Sequence, residues 1–270
     1  MKPDLPLSVL LLVRDETRDV EALLPSLAFA AEVVVVWDPR GDRATREAAE
    51  RLGARVFERV FDGFGPQRRF ALARCTQPYV LWIDADERLR PGAEEALRAA
   101  CASGGASFTL LRETRFLGRR IRFCGWQRER IVRVFAREAF GFDDAPVHER
   151  LVPAGGGAPP SAAALDLTID HDSYATWEAC VTKMTRYAAA GARKAHAAGK
   201  RASLLDVIAR PPLRFLRQYV LQLGFLDGAH GWLLCALAST QVFLKYAALR
   251  ELSRHPQGTN AAERPEGRGR

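Results

Sequence analysis

Apolar residues in the first third of the chain come in short solid blocks, and the blocks tend to stop at an acid. Residues 7–13 form a continuous apolar run, the pattern of a central parallel strand covered on both faces. Residues 17–31 follow with Leu23, Leu24, Leu27 and Ala31 on one stripe, which predicts a helix. The β-branched run 33–37 ends at Asp38. A helix over 43–52, a short strand over 54–57 and a helix over 66–75 come next. The strand over 79–83 then runs into Asp84-Ala85-Asp86. Strands and helices alternating in such short units predict an α/β fold with a doubly wound, mostly parallel central sheet. Ligands of such sheets sit beyond the carboxyl ends of the strands. Asp15 and Glu16, Asp38, and Asp84 with Asp86 should therefore meet at one edge. Each acid could instead cap the helix after it, but three acidic strand ends in one sheet favour a site.

The pattern changes beyond a helix at 91–101. Residues 107–152 read as strands and loops, with strands at 107–111, 120–123 and 131–135, and 153–164 as a loop rich in Gly, Pro and Ala. From Tyr174 to about Leu252 the chain reads as helical. Residues 256–270, rich in Gly, Pro and charge, are expected to be disordered. The predicted division is a domain over 1–172, a helical region over 173–255 and a tail over 256–270.

Composition refines this picture. The 270 residues are 48% hydrophobic and 27% charged, values of a packed globular chain, and carry a net charge of +8. A basic surface favours phosphate-bearing ligands, nucleic acid or an anionic membrane. Nucleic acid is set aside because no recognised binding motif accompanies the charge. The five cysteines are scattered without a CxxC pair, which argues against a disulfide framework or a structural zinc and fits a reduced compartment. Lys2 precedes an apolar run, but Arg14-Asp15-Glu16 follows with no small-residue cleavage site. The expected location is the cytoplasm.

Trp82-Ile83-Asp84-Ala85-Asp86-Glu87 carries the clearest chemistry. Two carboxylates one residue apart, leaving a buried strand, suit a divalent cation, Mg²⁺ or Mn²⁺, shared with substrate phosphates. A nucleoside diphosphate leaving group needs such charge neutralisation.

With this motif go Val13-Arg14-Asp15-Glu16, Asp38, residues 63–72 (GFGPQRRFAL), Phe116-Leu117-Gly118, Gly125-Trp126, Arg133-Val134-Phe135, His148-Glu149-Arg150-Leu151, His171-Asp172-Ser173-Tyr174 and Gly224-Phe225-Leu226-Asp227-Gly228. Together they resemble the family 2 glycosyltransferases of the GT-A fold, and within them the subgroup that builds the lipopolysaccharide inner core. The resemblance implies a metal-dependent, inverting transfer of a hexose from a nucleotide-sugar, with a UDP-sugar as the expected donor and a glycolipid as acceptor. It places Asp38 at the base or ribose with Arg14, Asp15 and Glu16 nearby, Arg68 at the diphosphate, Asp84 at the ribose or metal, Asp86 as the main metal ligand and His171 as a late contact. Glu149 is the first choice for the base that takes the acceptor's proton, with Asp144 second. Trp126 and His148 are expected on the acceptor side.

The chain departs from the family pattern where the donor would sit. Asp15 replaces an Asn, Arg69 replaces another, and the loop after Asp38 reads Pro39-Arg40-Gly41-Asp42 in place of a Gly-Ser-containing turn. A non-catalytic descendant that binds a nucleotide-sugar or a membrane partner is the rival reading. Finally, residues 200–254 hold eight Lys or Arg against three acids. Arg210, Arg214 and Arg217 share helical spacing around a helix start at Pro211-Pro212, and apolar Leu213, Leu216, Val220 and Leu223 lie beside them. That pattern predicts peripheral attachment to the anionic inner face of a membrane.

Overall fold

The computed structural model describes residues 5–126, 129–144, 150–174 and 176–254. The chain forms two compact units, residues 1–113 with 128–171 and residues 114–127 with 172–270.

The first unit opens with β1 (Leu5–Val13), α1 (Thr17–Leu23), a 3₁₀ turn (Leu24–Leu27), β2 (Ala30–Trp37), α2 (Arg43–Arg51) and β3 (Arg55–Glu58). Next come α3 (Phe64–Leu72), β4 (Tyr79–Trp82), β5 (Glu87–Leu89), α4 (Ala93–Ala102) and β6 (Ser107–Phe116). β6 runs on into the second unit, where β7 (Arg119–Arg120) turns back on it. β8 (Glu129–Ala136), β9 (Phe140–Phe142), β10 (Leu151–Pro153) and β11 (Ala163–Tyr174) follow, the last again crossing into the second unit.

The sheet order is β3-β2-β1-β4-β8-β6-β11-β5. Its first four strands are parallel, as the apolar runs predict. Beyond β4 the pairs β4–β8, β8–β6 and β11–β5 are antiparallel. Leu5, Leu7, Val9 and Leu11 on one face of β1 and Leu10 on the other are fully buried, each contributing about 1.5–3 kcal/mol of hydrophobic stabilisation. Glu32 ties three strands together at the amino end. It accepts from Ser8 Oγ at 2.5 Å and from the Thr76 amide at 2.5 Å and hydroxyl at 2.9 Å, and it pairs with Arg55.

The helix predicted over 17–31 ends early. Pro25 stands in the 3₁₀ turn, and Ala30 is drawn into β2 by pairing with Leu5. The predicted strand over 120–123 is only the two-residue β7, whereas β6 is twice its predicted length. β11, twelve residues long, was not predicted at all.

The second unit adds α5 (Trp177–Ala197), α6 (Leu204–Leu216), a π-helical turn (Arg217–Leu221), a 3₁₀ turn (Gly224–Asp227) and α7 (Gly228–Arg254). Phe116, Ile121, Cys124, Cys180, Leu234 and Cys235 form its core. Pro211-Pro212 does not start a helix. Ser203 and Asp206 form a capping box that starts α6 seven residues earlier, and both prolines lie inside it. Ser239 Oγ of α7 donates to the Pro211 carbonyl at 2.8 Å. The tail expected to be disordered, 256–270, lies outside the described residues.

Candidate functional site

Because β1, β2 and β4 run parallel, the loops after Val13, Trp37 and Trp82 leave from the same edge of the sheet. The first two loops are welded together. Asp15 Oδ1 accepts the Asp42 amide at 2.7 Å, and Asp42 in turn caps α2 through the Ala44 amide. Gly41 lies so close to Arg14 that a Cβ there would sit 2.4 Å from the Arg14 carbonyl oxygen. Glu16 faces inward on its own turn, its Oε2 accepting the Arg14 and Asp15 amides at 2.5 and 2.9 Å. Burial raises its pKa more than those bonds lower it. Asp38 is buried and doubly bonded to Arg40, with Nε 2.9 Å from Oδ1 and Nη2 2.6 Å from Oδ2. That pairing holds its carboxyl below the usual range. Arg40 also donates to the Phe61 carbonyl at 3.1 Å. Of this pocket's predicted members, Asp38 and Glu16 are thus already engaged within the protein, while Arg14 and Asp15 are exposed.

At the end of β4 the predicted Asp84 is held by two arginines. Arg68 Nη2 donates to Oδ1 and Arg133 Nη2 to Oδ2, both at 2.9 Å. Arg133 also pairs with Glu87, whose side chain has no exposed surface. Both guanidiniums lie over the Trp82 ring, 4.3 and 4.8 Å from its centroid. Burial pushes the Asp84 carboxyl up, but Arg133 and Arg68 outweigh it and bring it well below the ordinary range. The side chain nevertheless keeps 36% of its surface open, so it is an anchored group at a mouth rather than a sealed one. For Glu87 the balance reverses, and burial raises its pKa. Arg133 stands in one of the stretches that carry the resemblance, but sequence reasoning assigned it no place in the site. Its signal was a lone charge inside the apolar run of β8, and the side chain is only 2% exposed on average over the residue.

Asp86 and His171 form a second cluster. His171 pairs in register with Glu87 across β11 and β5, and its Nε2 lies 3.4 Å from Asp86 Oδ2. Both side chains are partly exposed, at 17% and 32%. Among the described residues no set of three or more His, Cys, Asp or Glu side chains converges as a metal cage. A cation that keeps only one or two protein ligands and takes the rest from substrate phosphates and water needs less. Neighbouring ligands of an octahedral ion at about 2.1 Å stand about 3 Å apart, so an oxygen and an imidazole nitrogen at 3.4 Å fit such an ion with a small adjustment.

On the predicted acceptor side, Glu149 and His148 lie outside the described residues. Asp144 is largely exposed and paired with Arg69, which also donates to the carbonyls of Phe142 and Asp143 at 3.1 and 3.0 Å. The substitution at 69 thus fixes the chain just before that segment. Trp126 belongs to the second unit, where its ring stacks on Tyr174.

The model of the family described as Glycosyl transferase family 2 matches residues 14–131. The chain is 25% identical over 265 residues to the lipopolysaccharide core biosynthesis glycosyltransferase LpsC of Rhizobium meliloti (strain 1021), covering 92% of this chain and 95% of that one. It is 24% identical over 262 residues to the uncharacterized glycosyltransferase RT0209 of Rickettsia typhi (strain ATCC VR-144 / Wilmington), covering 92% and 87%. Among solved structures it is similar to the mannosyltransferase PcManGT from Pyrobaculum calidifontis, with a TM-score of 0.44 and 16% identity, over 95% of this chain and 76% of that one.

Proposed function

We propose, for a chain that belongs to glycosyl transferase family 2, that it moves a hexose from a nucleotide-sugar to a lipopolysaccharide-core or related glycolipid acceptor with inversion. The observation that carries this reading is the pair of clusters closing β4: Asp84 clamped by Arg68 and Arg133, and Asp86 against His171.

In this reading the first two loops hold the nucleoside, with Arg14, Asp15 and the Asp38–Arg40 pair at its rim. A UDP-sugar is the proposed donor. Arg68, fixed by Asp84 and by Trp82, lends positive charge where the diphosphate lies. Asp86 and His171 would hold Mg²⁺ or Mn²⁺, which there neutralises charge on the diphosphate as its bond to the sugar breaks. A carboxylate then has to take the acceptor's hydroxyl proton. Glu149 is the proposed base. Asp144 is less suited, because Arg69 already engages its carboxylate. The test is Asp86→Asn. Nucleotide release from the donor should fall by orders of magnitude while circular dichroism stays unchanged, because the lost charge acts on the leaving group. Near-normal turnover in that variant, or in chelated wild type, would refute the metal assignment.

A glycolipid acceptor also suits the second unit. Leu205, Ile208, Leu213, Leu216, Leu221 and Trp232 are each more than half exposed, at 51% to 78%. Arg210 and Arg217 lie among them along α6 and its π-helical turn. The segment 224–254, with a mean hydropathy of 1.4 in its most apolar stretch, is long and apolar enough to cross a bilayer by length and composition. α7, however, packs along α5 and α6. We therefore read this face as lying on an anionic bilayer, with arginines at the headgroups. In flotation with anionic vesicles the full chain should rise with the lipid at low salt and be partly released at high salt. Protein that stays at the bottom under both conditions refutes attachment, and protein extracted only by detergent indicates a spanning helix instead.

A further inference from the structure

The second unit holds a cleft of about 130 Å³ that shares no residue with the donor cluster. Trp126 and Tyr174, stacked at 5.7 Å and 18°, line one part of it. Arg214, Gln218 and Gln241 supply its polar groups, and the rest of the lining is apolar, with Met184 part of it.

Gln218 sets the chemistry. It lies in the π-helical turn Arg217–Leu221, a kind of insertion that recurs at functional sites. Its residue surface is 1% exposed. Nε2 donates to the Cys124 carbonyl at 2.9 Å, which fixes the amide's orientation. Oε1 then remains buried with no donor among the described residues. A buried acceptor without a donor is costly unless a ligand or water supplies one. The backbone is strained into the left-handed region at Cys124 (φ 62°), whose carbonyl Gln218 holds, and at Leu223 (φ 57°), two residues past the turn, so this arrangement is held in place at a cost.

We propose that this cleft seats one sugar ring of the acceptor that bears an anionic substituent, a phosphate or a carboxylate. The inference rests on the glycosyltransferase reading and deepens it by naming the acceptor's chemistry. A pyranose offers an apolar C–H face to the aromatic wall and apolar lining. One ring hydroxyl donates to Gln218 Oε1. Arg214, whose fork of donors matches phosphate and carboxylate geometry, takes the anionic group. Among the described residues no acidic side chain lines the cleft to oppose that charge. An acyl chain would instead strip water from Gln218 Oε1 and Arg214 and return nothing.

The experiment uses the full chain and saturation-transfer NMR with three soluble probes: methyl glucoside, methyl glucuronide and glucose 6-phosphate. The two acidic sugars should bind roughly tenfold more tightly than the neutral one, the scale of a charge-assisted hydrogen bond. Arg214→Gln should erase that preference while leaving weak binding of all three. Gln218→Met should weaken all three probes, and Trp126→Ala serves as a second variant should the buried Gln218 change disturb folding. Equal binding of neutral and acidic probes, absence of binding, or an unchanged preference in Arg214→Gln would each overturn the proposal. Donor binding separates the two claims. If wild type binds a nucleotide-sugar yet no acidic sugar, the cleft assignment alone is wrong. If it binds none of a panel of nucleotide-sugars, the glycosyltransferase reading itself fails.

Discussion

Arg133→Met is the most informative single perturbation of the donor edge. Arg133 is buried, and it neutralises both Asp84 and the fully enclosed Glu87. Removing one partner of a buried ionic group leaves an uncompensated charge and typically costs about 3–5 kcal/mol. Met fills similar volume without clashing, so the loss reports charge rather than a cavity. A loss of that size corresponds to a fall in Tm of very roughly 6–20 °C for a domain of this size. The damage should depend on pH. Burial already raises the Glu87 pKa, and without Arg133 it should rise further, so Glu87 becomes neutral in the variant as pH falls. The variant's deficit should therefore shrink from pH 8 towards pH 5. Adding Glu87→Gln should recover more than half of it, which a double-mutant cycle measures directly. Denaturant unfolding followed by fluorescence is the assay, with Trp82 a local reporter beneath both guanidiniums. A loss below about 1 kcal/mol, or a double variant as weak as Arg133→Met alone, refutes the view that Arg133 is there to neutralise this pair.

Glu32 gives a pH prediction of opposite sign. Burial raises its pKa, but Ser8, Thr76 and Arg55 bring it down to about 2. A depressed folded pKa contributes stability that is present above about 4.5 and lost as pH falls towards 2. After discounting for partial exposure the contribution is about 1–2 kcal/mol, and Glu32→Gln should flatten that part of an acid-unfolding curve; an unchanged curve would discount the network. At the donor loops, Gly41→Ala must push the Arg14 backbone aside. It should weaken UDP or UDP-sugar binding severalfold in calorimetry while melting stays within a few degrees, and unaltered affinity would remove these loops from the donor site.

Much of the first unit could be read from the sequence because parallel strands leave a simple trace. Covered on both faces, β1 and β2 are apolar apart from Ser8 and Glu32 near their amino ends, and the acids after them mark where each strand leaves the core. β11 left no such trace. It runs 163–174 through Asp166, Asp170, His171 and Asp172, and is stabilised by cross-strand pairs such as Arg90 with Asp170, which periodicity does not register. Asp84 was located by its motif, but its partners Arg68 and Arg133 lie 16 and 49 residues away in sequence, and only the folded sheet brings them to it. In the second unit the Pro-Pro pair suggested a helix start because proline is well tolerated there, whereas the Ser203 capping box upstream decides the matter.

The segment Gly224–Gly231 shows how a sequence signature can arise from space alone. A Cβ on Gly231 would stand 2.0 Å from the Gly224 carbonyl oxygen, and one on Gly224 would stand 2.9 Å from the Gln218 carbonyl oxygen. Asp227 between them accepts the Arg122 and Phe123 amides at 3.0 and 2.8 Å. Gly228 adopts φ 63°, ψ −142°, a conformation essentially confined to glycine. Gly224, Asp227, Gly228 and Gly231 are thus each explained by steric fit or backbone capping, with no substrate involved. Chains sharing this stretch share a way of fastening one loop to the start of a helix, and they can do so while acting on quite different sugars.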